Sequence, residues 1–211
     1  DLTNCISAQF TIEQLCHRIE GNGESSSNTV SYDVEQYPMK RRMWDRGILS
    51  VFRFLTKVFY KFEVSGTENI PENGAYIICS NHTSTLDHIW ILTAFKKYMN
   101  KHDFFTLAAA ERAIDSKHFF RILGCIPVDR ERGTHPEITR VRKCLRGGMN
   151  AIIFPEGARS RDGSLLPLKK GVIKIAREAG VSILPIYIQG GFEIFPRHEN
   201  KPKLFDWHKH R

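Results

Sequence analysis

Three features of this 211-residue sequence predict an α/β fold with a mixed, largely parallel central sheet flanked by helices and preceded by an N-terminal amphipathic helix. From residue 75 onward, short apolar runs alternate with segments of helical periodicity, the order that builds strand–helix–strand units. An apolar fraction of 41% and a charged fraction of 26% are ordinary for a folded domain. A chain of this length buries roughly 70% of its unfolded surface, so it needs neither disulfides nor a structural metal to hold a core.

Residues 1–36 read as a helix and a flexible linker. Thr11-Ile12-Glu13-Gln14 resembles a capping box, and Ile12, Leu15, Cys16 and Ile19 follow at helical spacing. Gly21–Asn28 is a polar Gly/Ser stretch of linker composition. Residues 1–34 carry one base (Arg18) against five acids, a net of −4, which leaves +12 on the rest of a chain whose total is +8. One short acidic helix cannot fold alone. It is expected to be disordered, docked on the main domain, or the end of a preceding domain. The opening Asp1, with no methionine or signal-like segment, points to a fragment or a processed product.

The main domain is expected over residues 37–211. It begins with Lys40, Arg41, Arg42 and Arg46, followed by a helix in which Ile48, Val51, Phe52, Leu55, Val58 and Phe59 recur at spacings of three and four, with Arg53, Lys57 and Lys61 around them. Two readings stay open for this stripe: it packs on the core, or it lies on an anionic membrane surface. Strands are then expected at Ala75–Ser80, Phe104–Ala109, Gly124–Val128, Ala151–Phe154 and Ile183–Ile188, and helices at about 85–97, 116–122, 136–147 and 169–180.

Composition excludes several classes. The basic excess favours anionic partners, yet no helix-turn-helix, finger or RNP-like motif supports a nucleic-acid binder. Five scattered cysteines form no C-x-x-C pair, which leaves zinc ribbons, thioredoxin-like chemistry and disulfide scaffolds without support. No apolar run approaches the ~18–20 residues of a spanning helix.

The chemistry gathers at three strand ends, where open α/β sheets place their sites. The first strand runs into Asn81-His82-Thr83-Ser84-Thr85-Leu86-Asp87. His82 and Asp87 meet only if a turn separates them, with Ser84 or Thr85 capping the helix that follows. Asp87, kept ionised by the positive helix end, can then fix the imidazole tautomer and leave the other ring nitrogen as a base. A second strand ends in Phe154-Pro155-Glu156-Gly157-Ala158-Arg159-Ser160, where Gly157 permits close backbone approach and Arg159 offers a fork for phosphate. A third, Gly124–Val128, leads into Asp129 and Arg130. Together these describe one basic pocket holding a base.

Four blocks in this order resemble those of the glycerolipid (lysophospholipid and 1-acylglycerol-3-phosphate) acyltransferase family. They are Asn81–Asp87 for N-H-x4-D, Gly124–Arg130, Phe154–Ser160 for F-P-E-G-T-R-S, and Ile183-Leu184-Pro185-Ile186. The resemblance covers roughly the last 170 residues. It implies His82 as general base and Asp87 as its charge partner. It also implies an acceptor site shaped by Arg130, Glu156, Gly157 and Arg159, with Lys169 and Lys170 adding to phosphate binding and Pro185 on the donor side. The implied donor is an acyl thioester of CoA or of an acyl carrier protein, the acceptor a lysophospholipid, and the location a peripheral one on the cytoplasmic face of a membrane. Acyl transfer between thioester and alcohol needs no metal or cofactor.

Two departures stand out. Ala158 replaces the family's usual Thr, and the chain stops at Arg211, where relatives usually continue with a further strand. Against the acyltransferase stand a lipid-binding module without turnover, which has no need of a base, and a metal-dependent phosphohydrolase using His82, Asp87, His88 and Asp129, for which no recognised ligand spacing exists. The tail Trp207–Arg211 reads as a solvated basic terminus.

Overall fold

The computed structural model describes residues 43–60, 62–95, 103–109, 122–128 and 136–203. The expectations for residues 1–36, Lys40, Arg41, Arg42, Lys61, most of the 116–122 helix, Asp129, Arg130 and the terminal tail lie outside the described residues, as does the side chain of Arg46.

The described chain runs α1 (Met43–Phe59), β1 (Tyr76–Ser80), α2 (Asp87–Ala94), β2 (Phe104–Ala109), β3 (Cys125–Val128), α3 (Pro136–Arg146), β4 (Asn150–Ile153), α4 (Gly171–Ala179), β5 (Ser182–Ile186) and a single turn, α5 (Gly191–Ile194). The strands form one sheet in the order β3-β2-β4-β1-β5. Every pairing in it is parallel, more uniform than the mixed sheet expected. The reason lies in the connections. A helix follows β1, β3 and β4, and crossovers of that length return the chain to the same end of the sheet.

Parallel strands covered on both faces read as continuous apolar runs, and β1 is buried at all five positions. The two-residue period of the strands divides the core in two. Tyr76 and Ile78 of β1, Ile152 of β4 and Leu184 of β5 face a cluster with Leu49 of α1 and Trp90, Ile91 and Leu92 of α2. Ile77, Cys79, Ala151 and Ile153 face the other side, against Val141 and Leu145 of α3 and Val172 and Ile175 of α4. Each such buried aliphatic side chain contributes about 1.5–3 kcal/mol. Pro127 and Pro185 break no ladder, because β3 and β5 are the sheet's edge strands among the described residues. Helix α4 ends where expected. Gly180 takes a left-handed φ of 71°, and the Val181 N–H reaches back to the Ala176 carbonyl at 3.1 Å.

Helix α1 leaves most of its stripe outside the core. Leu49 and Thr56 face the core, while Ile48, Val51, Phe52, Leu55 and Val58 are exposed, joined by Phe54 at 66% exposure. The stripe therefore points away from the domain. Among the described residues, no helix is long and apolar enough to cross a membrane.

Candidate active site

Because β1 lies between β4 and β5, the carboxyl ends of these three strands come together. Asn81 fastens the first to the last. Its Oδ1 accepts the Ile188 N–H at 2.7 Å and its Nδ2 donates to the Ile188 carbonyl at 2.9 Å, as a strand residue would.

The turn expected between His82 and Asp87 is present. Asp87 Oδ2 lies 2.8 Å from His82 Nδ1 and accepts the main-chain N–H groups of Thr83 and Ser84, also at 2.8 Å. The capping differs from expectation. The residue preceding α2 is Leu86, with no side-chain cap bond, and the Ser84 hydroxyl instead accepts the Leu86 N–H at 3.2 Å. The carboxylate at the first helical position has turned back to collect the loop's donors itself. Its electrostatics differ too. Asp87 is 0% exposed, and burial pushes its carboxyl up to about 7, against the lowering pull of the Ser84 and Thr83 N–H groups and of Arg159. Three donors and a helix end do not outweigh the loss of water. Once Asp87 is ionised, Nδ1 of His82 carries the proton and Nε2 is left as the basic atom. The His82 side chain retains 15% exposure, so the ring lies at the boundary between core and solvent.

Phe154 supports that ring from below, stacked at 4.0 Å between centroids and 21° between planes. His88, edge-on to both Phe154 (4.6 Å) and His82 (5.7 Å), completes the cluster. Its Nε2 lies 3.0 Å from Thr106 Oγ1, which in turn donates to the Ile152 carbonyl at 3.0 Å. A hydroxyl has one proton, so Thr106 accepts from His88, and Nε2 of His88 is the protonated nitrogen. Burial lowers the His88 pKa to about 3, with His82 and Arg159 adding to the effect. His88 is thus a neutral support.

The segment after β4 is stitched to this loop. Glu156 accepts the His82 N–H on Oε1 at 2.7 Å and the Leu166 N–H on Oε2 at 2.9 Å, while the Ser160 N–H donates to the His82 carbonyl at 2.8 Å. Arg159 Nη1 donates to the Thr85 hydroxyl. Glu156, 4% exposed and with its carboxyl pushed up by burial, spends both oxygens on main chain. It holds the His82 main chain in place. Gly157 turns the chain at φ 72°, and a Cβ there would come within 3.2 Å of Lys169 Cε and Nζ. The Lys169 ammonium therefore lies over the turn that carries Glu156 and Arg159. Lys170 is exposed at the start of α4.

The structure thus gathers His82, Asp87, Glu156, Gly157, Arg159 and Lys169 around two adjacent strand ends. Strand β3, which leads toward Arg130, sits three places from β1, roughly 14 Å at the usual strand spacing. Sequence reasoning gave no separate role to Asn81 and considered His88 only as a metal ligand. The signals were available: a polar amide at the last step of a buried strand, and a second histidine directly after the dyad aspartate. Among the described residues, no three His, Cys, Asp or Glu side chains gather where a metal ion could be held.

Fold and site together define a parallel α/β domain carrying a hydrogen-bonded His82–Asp87 pair at its strand ends. The Acyltransferase family profile matches residues 61–189, and the chain belongs to that family. It is 31% identical over 144 residues to a chloroplastic 1-acyl-sn-glycerol-3-phosphate acyltransferase of Brassica napus, spanning 65% of this chain and 40% of that one. It is 32% identical over 131 residues to the 1-acyl-sn-glycerol-3-phosphate acyltransferase of Borreliella burgdorferi, spanning 60% and 50% respectively. The chain therefore spans half or less of these relatives' length. The crystal structure of the 1-acyl-sn-glycerophosphate acyltransferase PlsC from Thermotoga maritima superposes with a TM-score of 0.54 at 28% identity, covering 74% of this chain and 63% of that one.

Proposed function

We propose that this chain transfers a fatty acyl group from an acyl thioester to a hydroxyl of a lysophospholipid such as 1-acylglycerol 3-phosphate, in phospholipid biosynthesis or remodelling. The observation that carries this reading is His82 Nδ1 held at 2.8 Å by a buried carboxylate that also grips the loop's main chain. Nε2 of His82 takes the acceptor's hydroxyl proton as the oxygen attacks the thioester carbonyl. When the tetrahedral intermediate collapses, the carbon–sulfur bond breaks and the imidazolium returns the proton to the departing thiolate. No enzyme nucleophile is required. The described cysteines agree, since Cys79, Cys125 and Cys144 are buried thiols, and burial pushes Cys79 up to about 12. The donor is the thioester of CoA or of an acyl carrier protein. The test is thioester consumption by the purified chain in EDTA, with each donor in turn and lysophosphatidic acid as acceptor. Product formation dependent on the acceptor supports the reading, and thioester binding without turnover would leave a lipid-binding module.

Arg159 and Lys169, brought beside the base, are the cations proposed to hold the acceptor phosphate, with Arg130 and Lys170 adding to it. Arg159→Lys keeps the charge but removes the fork, and is expected to raise the KM for the acceptor about tenfold with the thioester KM unchanged. A rise confined to the thioester would reverse the assignment of the pocket.

The outward stripe of α1 is proposed to rest on an anionic membrane surface, with the domain as a peripheral protein on the cytoplasmic face. Six large apolar side chains lie exposed on a single 17-residue helix. Vesicles containing anionic lipid are expected to bind the protein and release it as salt rises, and Phe54→Asp to weaken that binding at least tenfold. Undiminished binding of this variant would place the contact elsewhere.

A further inference from the structure

Among the described residues, one oxygen of the dyad carboxylate has no hydrogen-bond partner. Asp87 Oδ1 is buried and unpaired there, and so is Thr83 Oγ1. An unsatisfied carboxylate oxygen inside a protein is costly, and it stays that way only where something denies it water. The residue over it is Gly191, at the start of α5. A Cβ built there would lie 2.7 Å from Thr83 Oγ1, 3.0 Å from the Trp90 ring and 3.1 Å from Asp87 Oδ1. The requirement for glycine here is one of space. Gly191 brings main chain close to Asp87 Oδ1, while the other oxygen, Oδ2, meets His82. It is held there from both sides. Asn81 pins Ile188 three residues earlier, and the Phe192 ring lies where a Cβ on Gly163 would touch it, at 3.1 Å.

We propose that Gly191 is a positioning residue for the His82–Asp87 dyad, the close approach of its Cα sealing Asp87 Oδ1 from water and fixing the carboxylate so that Oδ2 faces His82. The inference rests on the reading of His82 as the base of acyl transfer. Thr83 is β-branched and the Trp90 ring is rigid, so a methyl group at position 191 cannot be absorbed by a flexible chain end. The strain passes to the Thr83–Ser84 donors or to the carboxylate itself. A displacement of about 1 Å at a catalytic group costs roughly 10²-fold in rate.

The test follows Gly191→Ala, Thr83→Ala and the double variant by two readouts. The first is kcat and KM for acyl transfer. The second is the downfield His82 Nδ1–H proton resonance, read by NMR with no substrate present. Gly191→Ala is expected to lower kcat by about 10² with little change in either KM, and to move the Nδ1–H resonance upfield as the bond to Asp87 lengthens. Adding Thr83→Ala removes the atom at 2.7 Å, and is expected to restore the resonance and most of the lost kcat. Thr83→Ala alone opens a path for water to Asp87 Oδ1 and is expected to shift the acid limb of the pH profile downward. Wild-type kcat and an unmoved resonance in Gly191→Ala would overturn the proposal, as would lower stability with an intact resonance. Should Gly191→Ala fail to fold, the double variant decides: a folded protein with the wild-type resonance supports the assignment, and an unfolded or altered one overturns it. An inactive wild type would instead remove the acyltransferase reading, while the NMR comparison still decides the role of Gly191.

Discussion

His82→Ala is expected to abolish measurable acyl transfer, with a loss of at least 10²–10⁴ in kcat/KM and an unchanged fold. The magnitude follows from what the ring does. Removing it takes away the only base in contact with the buried Asp87 carboxylate among the described residues. The fold survives because the residue is held through its main chain, whose N–H and carbonyl groups bond to Glu156 and Ser160 whatever the side chain. The measurement is thioester consumption with lysophosphatidic acid as acceptor, set beside thermal unfolding of the same preparation. Turnover within tenfold of wild type in a folded His82→Ala variant would remove His82 from the mechanism.

Asp87→Asn is expected to cost less, about 10² in kcat, because an amide oxygen can take the place of Oδ2 and keep the His82, Thr83 and Ser84 bonds while the charge is lost. Its pH signature is more specific. The Asp87 carboxyl sits near 7 in the folded chain, against an ordinary value of 3.8. Between those values the folded chain holds a proton that the unfolded chain has released. The resulting stability is complete below about pH 4 and is lost as pH rises through 7. Activity is expected to run the opposite way, rising through about 7 as the dyad ionises and His82 gains its charged partner. In Asp87→Asn the stability slope between pH 4 and 7 is expected to flatten and the limb of kcat near 7 to disappear. Denaturant titrations at pH 5 and 8, with a kcat profile across the same range, check both. A limb that persists in the Asn variant would assign it to another group.

Much of the site was legible in the residues themselves. The step from a buried apolar strand into Asn81-His82, with an aspartate five residues on, demands a turn if the two side chains are to meet, and the turn is there. Phe154-Pro155-Glu156-Gly157 marks a strand end by its proline and a tight turn by its glycine. The alternation of apolar runs with helical periods announced the α/β class, and four blocks in order announced the family that the profile match confirms. These features are local. They depend on backbone preferences and on the spacing of side chains along one segment, and such information is carried by the chain in one dimension.

What the sequence left undecided depends on which segments lie side by side. The order β3-β2-β4-β1-β5 puts β4 next to β1, and only that adjacency lets Glu156 take the His82 N–H and Arg159 reach Thr85. The family resemblance assigns Glu156 to the acceptor site, and the fold adds that both its oxygens hold main chain. The apolar stripe of α1 serves a core or a membrane equally well as a pattern. It faces outward because Leu49 and Thr56 fit the layer over the sheet and leave Val51, Phe54 and Val58 exposed. The charge of Asp87 depends on tertiary structure for the same reason. The helix end that favours its ionisation is a property of the segment, but the enclosure made by Thr83, Trp90 and Gly191 comes from segments about 100 residues apart in the chain. Desolvation is set by everything that packs around a group, so the tertiary structure alone could decide which of the two effects prevails.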